Sequence, residues 1–148
     1  MPNFDNLFSK EKTRPIRYHS LSLYRQDEWE ARDGNRFVLE IESTNSEWRQ
    51  GIGLDVDGHF LVAGQRIPKK IALWEDTAPR LTRFEVECKS CLLRVKNLWD
   101  TGNGVTQAWH NGAAMIIEDA PNGKRYRCND GHPDDDFDDI IFRIERIS

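Results

Sequence analysis

The sequence predicts an all-β chain: a single antiparallel β-sandwich, jelly-roll-like, of nine to eleven short strands. Three observations point there. Apolar residues recur with a period of two in short runs. Turn-forming pairs such as Asp33-Gly34, Asp57-Gly58 and Asn122-Gly123 separate those runs. No stretch sustains the 3,4-spacing of an amphipathic helix over about three turns.

The elements follow in order. Residues 1–14 are polar and read as a loose N-terminal segment, and residues 15–148 as one domain. Ile16–Tyr24 is expected as a first strand. Glu28–Ala31 and Phe37–Glu42 read as a hairpin around Arg32-Asp33-Gly34-Asn35. Gln50–Val56 and His59–Ala63 read as a second hairpin around Asp57-Gly58, because Asp-Gly reaches positive φ cheaply. Pro68 breaks the next run, which leaves Lys70–Trp74 as the useful strand. Leu81–Cys88 and Cys91–Asn97 are expected to pair across a tight turn at Lys89-Ser90. Thr106–Trp109 and Ala113–Glu118 follow the Gly-rich loop of residues 101–104. Asn122-Gly123 joins Met115–Ile117 to Lys124–Cys128. In the last strand, Ile140–Ile147, alternation puts Ile140, Phe142 and Ile144 on the core face and Arg143 and Glu145 on the other. Trp48 and Trp74 are assigned to the core.

Bulk properties narrow the function. The net charge is −4, which argues against a general nucleic-acid or anionic-membrane binder. No apolar run is long enough for a transmembrane helix. The opening MPNFDNLFSKEKTRP lacks the apolar core of a signal peptide. A cytoplasmic location is therefore expected, with a secreted or surface-associated one as the alternative. Three cysteines, an odd number, argue against a disulfide framework.

The most distinctive stretch is DGHPDDDFDD, Asp130 to Asp139, which ends against the last strand. Asp134, Asp136 and Asp138 stand at i, i+2 and i+4. Calcium is a hard cation that takes six to eight oxygens, and carboxylates in a tight loop supply them. Asp139 or Asp130 would complete the shell, and Phe137 should point inward as an anchor. An EF-hand is excluded, because Asp139 replaces the glycine required at the sixth position and a strand follows instead of a helix. Without a cation, the arginines nearby in sequence (Arg125, Arg127, Arg143, Arg146) would have to offset the charge.

The segment IEDAPNGKRYRCNDGHPDDDFDDIIFRI, residues 117–144, resembles the closing motif of bacterial surface β-sandwich domains associated with calcium. That motif has an E-D segment, a Gly/Asp-rich loop, then D-x-D-[FY]-[ND]-D and an apolar strand. The matching residues are Glu118, Asp119, Asp134, Asp136, Phe137, Asp138, Asp139 and Ile140-Ile141-Phe142. The resemblance covers the last fifth of the chain. It implies calcium at the edge of a β-sandwich and carries over no activity.

Two other constellations compete. Cys88, Cys91, Cys128 and His132 offer four soft ligands with spacings zinc tolerates. Against this, Cys88 alternates with Phe84 and Val86 as a buried strand residue would. Trp99 and Trp109 bracket the Gly-rich loop, with His110 and Asn111 beside them; such a set could stack on and hydrogen-bond a carbohydrate. Tryptophans in a sandwich are otherwise packing residues. No catalytic motif is present, and catalytic residues are assigned to none. A hydrolase would have to use the loop acids with His132 or His110. The sequence thus reads as a non-catalytic binding module with a calcium loop and carbohydrate as a candidate ligand. The alternatives are a metal-free protein-interaction or structural domain docking a basic protein surface, a small zinc-stabilised domain, or a hydrolase. Oligomeric state is not legible.

Overall fold

The computed structural model describes residues 16–18, 21–24, 26–46, 48–88, 91–100, 106–107, 114–129 and 137–147. Every regular element among them is a strand, and all pairing is antiparallel. In chain order these are β1 (Ile16–Tyr18), β2 (Leu21–Leu23), β3 (Asp27–Ala31), β4 (Arg36–Thr44), β5 (Arg49–Val62) and β6 (Gln65–Trp74). Then come β7 (Leu81–Glu87), β8 (Cys91–Asp100), β9 (Thr106–Gln107), β10 (Ala114–Ala120), β11 (Gly123–Asn129) and β12 (Ile140–Arg146). β1 pairs only with β2, so the expected first strand doubles back on itself, with Tyr18 opposite Leu21.

The other strands form one ladder in the order β10-β11-β12-β4-β7-β5-β8-β3, with β6 on β5 and β9 on β8. Hydrogen bonding therefore does not divide them into two separately stacked sheets, as the sandwich expectation required. A line of bends curls the ladder instead. β7 and β8 lie end to end along one edge of β5: Leu61 to His59 face Glu85 to Glu87, and Val56 to Arg49 face Leu93 to Asp100. β3 and β4 lie end to end along the far side of β8 and β7 in the same way. The bends coincide. Three residues of β5, Val56 to Gly58, oppose the single Lys69 of β6, and Lys69 has φ +64°. On the next run, Gly34 N donates to Val86 O, and Cys88 N donates to Asp33 Oδ1.

This overturns three expected hairpins. Asp57-Gly58 is not a turn but the bend within the continuous β5. A Cβ on Gly58 would lie 2.2 Å from Glu87 O, so the glycine permits a close backbone approach. The real turn is Ala63-Gly64, both at positive φ (51° and 78°), with Val62 opposite Gln65. That is the backbone a two-residue type I′ turn needs. Arg32–Asn35 does turn, with Asn35 N donating to Arg32 O, but it joins strands that pair with different partners. β7 and β8 do not pair with each other, and Lys89-Ser90 lie outside the described residues. The last hairpin is found, one residue early: Ala120 faces Gly123 across Pro121 and Asn122, the latter at φ +59°. Pro68 stays inside β6, opposite His59, because β6 pairs on its β5 side only.

Alanine is the weak residue of the Ala63-Gly64 turn, since its Cβ crowds the chain at positive φ. Ala63→Asn creates the preferred Asn-Gly pair. It is expected to stabilise the fold by about 0.5–1 kcal/mol, read as a higher denaturant midpoint at unchanged m-value.

The ladder curls around one core. Trp29 of β3 meets Phe37 edge-on at 5.7 Å, Phe37 stacks on Phe84 at 5.2 Å, and Tyr126 stacks on Phe142 at 4.7 Å. Ile140, Phe142 and Ile144 are fully buried, as the alternation of β12 predicts. A shift in the β12–β4 register after Ile141 leaves Glu42 without a partner in that register, which accounts for the broken alternation at Ile141. The two ends of the ladder approach each other. Tyr24, just before β3, exchanges two backbone hydrogen bonds with Met115 of β10, at 2.9 and 2.7 Å. Trp48 and Trp74 are only partly buried, which corrects their assignment to the core. The Trp74 ring lies over Gly51, where a Cβ would come within 2.7 Å of it, and carries Arg49 at 4.4 Å.

Candidate functional site

The end of the acidic loop enters β12 between two fixed strand ends. Phe137, the one apolar residue of Asp130–Asp139, is 2% exposed. It packs with Leu23 and Ala114 in a small cluster beside the main core. Its backbone sits at φ +54°, an uncommon region for a bulky residue. Asn129 holds it there by accepting from Phe137 N at 2.6 Å through Oδ1. Asn129 is itself fully buried, and its carbonyl accepts from Asn97 Nδ2 at 2.7 Å.

Asp138 and Asp139 follow. Asp139 N donates to Cys128 O at 3.0 Å, and Asp139 O accepts from Asn45 N at 3.1 Å. Asp139 is 4% exposed. Asp138 Oδ2 accepts from Asn45 Nδ2 at 2.9 Å. Its other oxygen, Oδ1, is shut away from solvent with no hydrogen-bond partner. Buried polar atoms are nearly always paired, and a carboxylate oxygen more insistently than most.

Three of the four arginines near the loop in sequence are committed elsewhere. Arg125 pairs with Glu118 at 2.8 Å and with Glu42 at 3.1 Å. Those two hydrogen bonds hold its proton more firmly than usual. Arg143 pairs with Glu40 at 2.6 Å. Arg146 lies over Trp29 and Phe37 and donates to Glu30 O. None of the three reaches Asp138 through these contacts. Glu118 and Asp119 face Arg125 and Lys124 towards the hairpin tip, whereas Asp139 binds at Cys128 near the strand's other end. The E-D segment of the resemblance is thus not brought to Asp138.

Asp130, Asp134, Asp136 and His132 lie outside the described residues, as do Trp109, His110 and Asn111. Trp99 is 1% exposed, so its ring packs in the interior and its faces are not open to a sugar. Cys128 is fully buried and free. Burial pushes its thiol pKa up, and the Asp139 carboxylate adds to this. Cys88 is disulfide-bonded, contrary to the expectation from cysteine parity. It lies at the bend, beyond the Arg36 end of β4, while Cys128 stands in the row of Ile140 and Thr44 at its other end. The geometry does not bring Cys88 and Cys128 together, and nothing is described of the Cys91 side chain. Among the described residues no group of three or more His, Cys, Asp or Glu is placed to hold a metal.

Sequence reading missed the three asparagines. Asn45, Asn97 and Asn129 carry no local pattern, and their roles depend on contacts distant in sequence. The chain matches no family model, and neither the curated proteins nor the solved structures show a match. No helix among the described residues is long and apolar enough to cross a membrane.

Proposed function

We propose that this chain is a non-catalytic β-sheet binding module that takes a calcium ion at the loop ending in Asp138 and Asp139. One observation carries the reading: Asp138 Oδ1 is buried and has no donor, while its sister oxygen is held by Asn45. A hard cation is the partner that satisfies such an oxygen. The pairing of Arg125 and Arg143 with glutamates supports it, because these two arginines are not spent on the loop carboxylates. Asp130, Asp134 and Asp136 would supply the further oxygens. A single shielded oxygen suits a small ion better than a basic protein surface. The disulfide at Cys88 favours an oxidising compartment, which is also where calcium is plentiful. Carbohydrate is not part of this reading, since Trp99 is buried.

Thermal melts test it. After EDTA treatment, calcium at 100 times its Kd should add about 2.7 kcal/mol of stability. Zinc should not substitute. Asp138→Asn should remove the calcium response and leave a folded protein. A wild-type melting temperature that ignores calcium would overturn the reading.

A further inference from the structure

A second site lies at the opposite end of β11 from the acidic loop, where the β10–β11 turn meets β12 and β3. The turn is fixed there. Arg146 N donates to Asn122 O at 2.9 Å, and a Cβ on Gly123 would run into Ile144 O. Beside the turn, Trp29, Asp119, Lys124, Arg146 and Ile147 help to line an open cleft of about 480 Å³.

The two cations of the cleft are held before any ligand arrives. Both lie against the Trp29 ring, Lys124 Nζ at 5.0 Å and Arg146 Cζ at 5.5 Å from its centroid. The ring is itself pinned by its hydrogen bond to Tyr126. Lys124 Nζ gives one N–H to Asp27 Oδ2 at 3.0 Å, and an ammonium has two more to give. Arg146 also covers Phe37 and donates to Glu30 O. Side chains ordered in advance lose little freedom on binding.

Their charge is matched only in part. Asp27 answers Lys124. Arg146 has no carboxylate partner among the described residues, and its Nε is buried without a hydrogen-bond partner among them. A guanidinium is a planar fork that fits a two-oxygen anion. Asp119 is the one acid in the lining, and it is exposed, so water screens its charge. Ile147, 51% exposed, offers apolar surface in the same cleft.

We propose that this cleft binds a small organic acid. Its carboxylate takes the N–H groups of Arg146 and Lys124 that the fold leaves over, and its apolar body lies against Ile147.

Sodium benzoate is the probe and benzamide its neutral control, followed by NMR of the Trp29 indole and Arg146 Nε–H signals. The latter group is shut away from solvent. Benzoate should bind about tenfold more tightly than benzamide, because its head makes charge-assisted contacts. Arg146→Lys, which keeps the charge but loses the fork, should remove most of that preference. Asp119→Asn, at an exposed position, should tighten benzoate binding roughly twofold by removing a like charge. The proposal is overturned if benzamide binds as well as benzoate, if neither binds, if Arg146→Lys keeps the full preference, or if Asp119→Asn weakens binding.

Discussion

Gly58→Ala is expected to cost at least about 4 kcal/mol, beyond the usual range for overpacking. The added Cβ would lie 2.2 Å from Glu87 O and 2.9 Å from Cys88 Cβ. The first neighbour is backbone, so it can yield only if the ladder opens. The pairs at risk are His59 with Glu87, Phe60 with Val86 and Leu61 with Glu85. They bind the far half of β5 to β7 just beyond the bend. Loss of amide-exchange protection should therefore concentrate at Leu61, Glu85 and Glu87, ahead of global unfolding, while Val86 N, which donates to Asn35 O on the other side of β7, is affected less. A variant within about 1 kcal/mol of wild type, with that protection intact, would show that the bend does not depend on the missing side chain.

The second large effect is expected at Tyr126. Its hydroxyl, at the centre of the core, donates to Asp27 Oδ2 at 2.5 Å and accepts from Trp29 Nε1 at 2.7 Å. Lys124 Nζ completes the cluster at 3.0 Å from the same Asp27 oxygen. Tyr126 is fully buried, Asp27 is 7% exposed and Trp29 8%. Tyr126→Phe keeps the ring but strips a carboxylate of one donor and leaves an indole N–H unpaired. The expected cost is about 3 kcal/mol, the sum of a charge-assisted bond, a neutral bond and their unpaired remnants. In a chain of this length that lowers the melting temperature by roughly 10 °C.

The same residue governs the alkaline side of the stability curve. Burial pushes the Tyr126 phenol well above its ordinary pKa, and the Asp27 charge pushes it further. The folded state thus holds this proton more tightly than the unfolded chain does. Its contribution is complete below about pH 10, the unfolded value, and is lost as pH rises beyond it. Wild type should lose stability above that pH more steeply than Tyr126→Phe. Equal slopes would mean that the phenol ionises without hindrance.

Strand identity was legible wherever one face is buried. β12 shows this best: Ile140, Phe142 and Ile144 are fully buried as parity requires. Strand partnership was not legible. Asp33-Gly34 and Asp57-Gly58 carry the same local signal as a hairpin tip, yet both lie on the bend line. Gly34 supplies the positive φ of its turn, but Gly58 serves a close approach by Glu87 of a strand distant in sequence, which no local pattern records. Ala63-Gly64, the true turn, uses a residue poorly suited to positive φ and so gave no signal. Phe137 could be read as an anchor because it is the sole apolar residue in an acidic run, and it is buried. Asn45 and Asn129, which position the loop end, could not be read because each acts on a residue brought to it by pairing.

The most direct test of the calcium reading is titration calorimetry of the metal-stripped protein with calcium, wild type beside Asp138→Asn. Wild type should bind one calcium ion per chain with a measurable heat, and Asp138→Asn should bind at least about tenfold more weakly, the loss of one charged ligand. An absence of calcium binding by wild type, or an unchanged Kd in Asp138→Asn, would contradict the assignment of Asp138 as a calcium ligand.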